Sequence, residues 1–262
     1  MLKPRILSAL IGIPLIILVV WLGGFYLLFF TGLVIIIATW EMFKMFTSLN
    51  LSPFFWLALI GNLLLLSSAY FKLNPSGIIT LLGIVFFVFL IIFYSKYSLI
   101  DSALALTAML YLSLFIYFYL LDGLPKGEFW LIFLLLNVWA TDTTAYFSGK
   151  IFGRRPLAPL ISPGKTVAGV IGGVAGGLVV TLIFILFYPI LPKLPVLFLG
   201  LLISVVAQIS DLTASIFKRQ AKVKDAGKII PGHGGILDRF DSLFFTSPLV
   251  YYYVTFFLKT GE

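Results

Sequence analysis

The sequence predicts an all-α protein that crosses a membrane about nine times. Three observations carry that prediction. Of 262 residues, 61% are hydrophobic and only 11% are charged, against about 25% charged in soluble domains. Mean hydropathy is +1.14. The apolar residues also fall in runs long enough to cross a ~30 Å hydrocarbon core, which takes roughly 20 helical residues. The alternating ten-residue pattern of a transmembrane barrel is absent. With no cysteine, disulfides, thiolate catalysis and thiolate-bound zinc are excluded. The net charge of +8 is read as basic loops on one side of a membrane, not as a nucleic-acid surface.

The spans follow in order. Ile6–Trp21 comes after Lys3 and Arg5, and Pro14 should kink it. No small-x-small cleavage site follows, so it is read as a spanning helix and not a signal peptide. Phe25–Phe43 is the second span, Phe54–Phe71 opens after Pro53, and Ile78–Tyr94 opens after Pro75. Only a short polar gap, Lys96 to Asp101, separates it from Ser102–Leu121. Phe129–Ser148 follows Pro125. Val167–Tyr188 and Val196–Phe217 are parted by Pro189, Pro192 and Pro195, and Leu243–Leu258 is last. Prolines at these places mark helix ends. Two regions are expected: an N-terminal transmembrane region, residues 1–122, and a C-terminal catalytic region, residues 123–262, with two polar motif loops.

Orientation follows from charge. With the N-terminus in the cytoplasm, 14 of the 18 Lys and Arg fall in cytoplasmic segments. Lys72, Lys126, Lys193 and Lys259 fall on the far side. That bias places both polar loops, Gly149 to Thr166 and Lys218 to Ser242, at the cytoplasmic face of a cell (inner) membrane. The five Trp residues read as belt residues near span ends.

Four of the ten acidic residues and the single histidine lie between Gln208 and Ser242. Asp142 and Asp211 each fall six residues before the end of a predicted span, about 9 Å from the boundary at 1.5 Å per residue. Carboxylates at such depth cost several kcal/mol unless paired or metal-bound, and two at one depth suggest one shared site. Glu41 also lies within a span, and a pair with Lys44 at i+3 would account for it. Asp211, Ser215, Lys218 and Arg219 occupy i, i+4, i+7 and i+8, one helical stripe suited to a cation and phosphates. Asp238 and Asp241 share another face. Magnesium takes one or two carboxylates plus substrate oxygens. Asp211, Asp238, Asp241 and Asp142 are the candidate ligands for one cation or two.

Between these acidic positions runs Pro-Gly-His-Gly-Gly, which cannot be a helix interior. The amides of Gly232, Gly234 and Gly235 can cradle phosphate oxygens, and His233 can bind a metal, move a proton or hydrogen-bond a phosphate. The earlier loop carries Ser162, Lys165 and Thr166 at the start of a helix, an anion site in itself. It is not a Walker A loop. Gly169, Gly172, Gly173, Gly176 and Gly177, which follow, are read as close helix packing.

Ser215-Ile-Phe-Lys-Arg219, Lys224-Asp225, Pro231-Gly-His-Gly-Gly235 and Asp238-Arg-Phe-Asp241 form a 27-residue signature. It closely resembles that of the phosphatidate cytidylyltransferases. A second stretch agrees: Asp142-Thr-Thr-Ala-Tyr146, Gly149, Phe152-Gly153, Ser162-Pro163 and Lys165-Thr166. The chain departs from the pattern at Ser210, where the family has Gly, and at Gly164 and Ala168, where it has Lys and Glu. The resemblance implies that CTP and phosphatidate give CDP-diacylglycerol and pyrophosphate in a magnesium-dependent reaction. It further implies Ser215, Lys218, Arg219, Asp225, His233 and Arg239 in the catalytic set. Lys165, Thr166, Ser162, Lys224 and the three glycines would bind substrate. A homodimer is consistent with it. The alternative reading is a secondary transporter of an anionic solute.

Overall fold

A backbone amide in hydrocarbon has no water to bond, so spanning segments satisfy their own polar groups as helices. The computed structural model describes residues 2–49, 51–230, 232 and 234–258. Among them are ten helices. They are α1 (Leu2–Leu22), α2 (Gly24–Thr47), α3 (Phe55–Tyr70), α4 (Pro75–Ile92), α5 (Leu99–Ser113), α6 (Ile116–Asp122), α7 (Gly127–Phe152), α8 (Val167–Phe187), α9 (Lys193–Gln220) and α10 (Leu237–Phe257). α5 and α6 together make one stretch, Leu99–Asp122, so helical stretches stand where the nine spans were expected. Five are long and apolar enough to cross a membrane: Gly24–Thr47, Pro75–Ile92, Leu99–Asp122, Val167–Phe187 and Lys193–Gln220. Large apolar side chains such as Ile91, Leu186 and Phe187 are more than 70% exposed, a surface suited to lipid.

Several boundaries differ from expectation. α2 continues to Thr47, α7 to Phe152 and α9 to Gln220, and α10 begins already at Leu237, because the polar residues flanking each apolar run still complete helical turns. The polar loop after α7 holds a small antiparallel hairpin, β1 (Pro156–Ala158) with β2 (Ser162–Thr166), pairing Pro156 with Thr166 and Ala158 with Ser162. Pro14 lies inside α1.

The chain divides into two compact units. The first is Met1–Tyr119 with Phe217–Phe240, and the second is Leu120–Ile216 with Asp241–Glu262. The charged signature segment therefore belongs mostly to the unit that contains the N-terminal helices.

In the first unit α3 packs against α2, α4 and α5. Ile35, Met42, Met109, Leu112 and Phe115 are fully buried there. Aromatic rings fix both ends of the signature segment: Phe217 lies 5.3 Å from Tyr111, and Phe240 lies 5.8 Å from Phe30 and 5.5 Å from Phe115. α5 starts with a capping box. Ser98 Oγ accepts from the Asp101 amide, Asp101 accepts from the Ser98 amide, and its other oxygen accepts from the Ser52 amide at 2.8 Å.

In the second unit α7 and α8 pack along nearly their full lengths. The α8 glycines make this possible, as expected: a methyl on Gly169 would meet the Ala145 carbonyl at 3.0 Å, and one on Gly173 the Thr141 carbonyl at 3.1 Å. Buried Thr181 donates to Asn137 Oδ1 at 3.0 Å. α9 and α10 run antiparallel. Ser210 Oγ donates to the Asp241 carbonyl near one end, and the Tyr253 hydroxyl to the Pro195 carbonyl at 2.9 Å near the other. Gly176→Val would drive a branched side chain into Thr144 and should destabilise the protein by about 1–3 kcal/mol. Gly83→Ala, inside α4 where an added methyl meets nothing within 4 Å, should not lower the thermal midpoint in detergent, since alanine is the better helix former.

Candidate active site

The second unit contains a cleft of about 500 Å³ between the end of α7, β2, the start of α8 and the middle of α9. Asp142, Lys165, Thr166 and Asp211 line it, as do Tyr146, Lys150 and Gln208. Asp142 stands ten residues before the end of α7 and Asp211 nine before the end of α9. Their matched placement survives the longer helices. Lys165 Nζ lies 2.7 Å from Asp211 Oδ2, with the two side chains 25% and 31% exposed. Ser215, one turn further along α9, is nearly buried and holds its hydroxyl 3.5 Å from Asp211 Oδ1, at the limit of a hydrogen bond.

Local structure explains how β2 delivers Lys165. Thr166 is the N-cap of α8, accepting from the Gly169 amide at 3.1 Å. Its hydroxyl also lies where side chains on Gly149 and Gly153 would go, so both glycines let α7 come close to the cap. Gly164 faces open space. Ser162, at the start of β2, pairs with Ala158. Gln208 donates to the Ser204 carbonyl at 3.0 Å, within its own helix.

Asp241 is nearly buried at the start of α10, and its Oδ1 accepts from the Ser242 amide at 2.8 Å. Ser210, where the chain departs from the family's glycine, donates to the Asp241 carbonyl and accepts from the Phe245 amide at 3.3 Å. The departure supplies a tie between α9 and α10.

In the first unit the glycine loop is organised by two carboxylates. Asp238 Oδ2 accepts from the amides of Ala226 at 2.8 Å and Gly235 at 2.9 Å. Its Oδ1 accepts from Lys218 Nζ at 2.8 Å, with only 5% of the Asp238 side chain exposed. The second carboxylate is Glu41, and here the expectation needs correcting. Glu41 does not pair with Lys44. It is fully buried and accepts from the amides of Ile236 at 3.1 Å and Leu237 at 2.8 Å, at the N-terminus of α10. Four amides are orphaned at any helix start, and a buried carboxylate there satisfies two while gaining from the dipole. Lys44 Nζ instead sits 5.0 Å from the Trp40 ring centroid. Side chains on Gly227 or Gly235 would run into the Glu41 carboxylate. These two glycines are there for close approach. Gly232 and Gly234 have φ of 76° and 86°, the left-handed region that favours glycine.

The remaining candidates are dispersed. Arg219 donates to the Val223 carbonyl at 3.1 Å. Lys224 and Asp225 line a separate cavity in the first unit. Arg239 is exposed, and His233 lies outside the described residues. Sequence reasoning missed Glu41, Gln208, Tyr146 and Lys150. For Glu41 the signal was present, a carboxylate inside an apolar run. Breaking the buried Lys218–Asp238 pair from one side is costly, about 3–5 kcal/mol. Lys218→Met should therefore unfold the loop far more than Lys218→Met with Asp238→Asn, as limited proteolysis of the 221–236 segment would show.

A family model described as the Cytidylyltransferase family matches residues 3–257. The phosphatidate cytidylyltransferase of Staphylococcus epidermidis is 34% identical over 260 residues, covering 95% of this chain and 97% of that protein. Those of Staphylococcus haemolyticus and Staphylococcus aureus are 36% and 33% identical over the same shares of each chain.

Proposed function

Since the chain belongs to the cytidylyltransferase family, we propose that it is a membrane-embedded phosphatidate cytidylyltransferase whose nucleotide site is the cleft holding Asp142, Lys165 and Asp211. The activity makes CDP-diacylglycerol for phospholipid biosynthesis. A phosphate oxygen of phosphatidate attacks the α-phosphorus of CTP, a new P–O bond forms, and the bond to the bridging oxygen breaks as pyrophosphate leaves. The attacking oxygen is already ionised at neutral pH, so no strong base and no covalent intermediate are needed. The barrier is repulsion between two polyanions, and positioning with charge screening lowers it.

The single observation that carries the reading is the cleft's charge pattern: an ammonium held against a carboxylate, with a second carboxylate on the facing helix. Lys165 holds a positive charge where a cation would sit, and the oxygen donors of Asp142 and Asp211 suit magnesium, with substrate oxygens completing its shell. Bound there, Mg²⁺ would supply charge neutralisation between the reacting phosphates. Asp241, on the helix tied to Ser210, is the further candidate ligand. Asp238 is better accounted for as the residue that orders the glycine loop. Lys165 can exchange Asp211 for an incoming phosphate oxygen, and Ser215 orients the Asp211 carboxylate. Thr166 in the cleft and Ser162 at the start of its strand complete the substrate environment proposed in this unit; the roles of Lys218, Arg219, Asp225, His233, Arg239, Lys224 and the amides of Gly232, Gly234 and Gly235 rest on the resemblance alone. We further propose that this site faces the cytoplasm, supported by the Lys and Arg bias, and that the protein is a homodimer, supported by the resemblance alone.

The test is pyrophosphate release from the detergent-purified protein. CTP, phosphatidate and Mg²⁺ together should give it, and omission of any one should stop it. Release that ignores phosphatidate, or none at all as for an anion transporter, would overturn the proposal.

A further inference from the structure

The first unit contains a cavity of about 690 Å³ that shares no lining residue with the cleft. Its walls are the last turns of α2, with Trp40, Lys44 and Ser48, and the loop from Val223 to Ile229. Three ammonium groups line it, Lys44, Lys224 and Lys228, against one carboxylate, Asp225. Among the described residues, no ion pair engages any of the three lysines. Lys44 is held over the Trp40 ring instead. The wall is shaped in advance. The Ala226 amide is fixed by Asp238, and Gly227 lies against the buried Glu41 carboxylate.

We propose that this cavity, which shares no lining residue with the cleft, binds the phosphate of an anionic membrane phospholipid. The excess of lysines calls for an anion, and phosphate is the anion that a lipid headgroup presents. The position favours a lipid over a soluble anion. α2 is long and apolar enough to span, and Trp with Lys in its last turns is what a headgroup-level segment carries. Trp40 at 46% and Ile229 at 45% exposure give the cavity an apolar rim for the glycerol end of a lipid. A lysine beside a membrane surface contributes about a fivefold factor in affinity for anionic lipid, so removing two should cost about thirtyfold.

The test uses phosphatidylglycerol, which lacks the phosphate monoester and cannot serve as acceptor. Its binding therefore stands apart from the proposed reaction. Binding to the detergent-purified full chain is followed by native mass spectrometry, with phosphatidylcholine as control. The wild type should retain phosphatidylglycerol and not phosphatidylcholine. Lys44→Gln with Lys228→Gln should bind it about thirtyfold more weakly, and Lys44→Arg with Lys228→Arg should restore binding. Pyrophosphate release by the wild type tests the functional proposal separately, and release by the Gln variant reports that its fold is intact. Unchanged phosphatidylglycerol binding in the Gln variant would overturn the lipid site. So would failure of the Arg variant to restore binding. Displacement of the lipid by an equal concentration of inorganic phosphate or CTP would assign the cavity to a free anion and also overturn it.

Discussion

Asp211→Asn should reduce pyrophosphate release by about 10²–10³-fold, the size of loss seen when one preorganised charge partner of a reacting group is removed. The asparagine keeps the side chain's shape. What disappears is the charge that holds Lys165 at 2.7 Å and that would face a cation from α9. Folding should be little affected, because both partners are partly exposed and such pairs contribute little to stability. Membrane insertion and the thermal midpoint should therefore match the wild type while turnover is lost. Near-normal rates at saturating magnesium would remove Asp211 from the site.

Gly235→Ala should also lower turnover, by a different route. The added methyl would lie far inside van der Waals contact of the Glu41 carboxylate, which is fully buried and already engaged by two amides. Neither group can move without exposing unpaired polar atoms in an apolar bundle, at about 1–3 kcal/mol for each hydrogen bond lost. The loop would shift, taking the Gly235 amide from Asp238. Turnover should fall at least tenfold, a loss that about 1.4 kcal/mol already produces. Because the clash is with one side chain, Gly235→Ala combined with Glu41→Gly should recover part of the loss. If the double variant is no better than the product of the two single variants, Glu41 is not what the glycine accommodates.

Much of this was legible in the sequence, and the exceptions have physical causes. Length and hydropathy located the helices because a spanning segment must be both apolar and helical. Asp142 and Asp211 stood out because carboxylates are costly in an apolar run, and the structure puts both in one cleft. The same reasoning was available for Glu41. Lys44, at the right helical spacing, hides it. Spacing along one helix cannot show that a chain segment nearly two hundred residues later brings two unsatisfied amides to the carboxylate. Asp238 was likewise read by charge alone, and its structural partners are backbone groups that no side-chain pattern reveals. The hairpin after α7 reads as loop in the sequence because its strands are only three and five residues long and lack the alternation that marks a strand.

On this reading the cleft beside Lys165 takes the nucleotide. The chain has no cysteine, so a single one introduced at Gly164, which lines the cleft and faces open space, can be followed without background. In sealed vesicles Gly164→Cys should react with a membrane-impermeant thiol reagent from the cytoplasmic side only. CTP with Mg²⁺ should slow that reaction severalfold at the concentrations that half-saturate turnover. Labelling from the opposite side, or an unchanged labelling rate while CTP is being consumed at full speed, would contradict it.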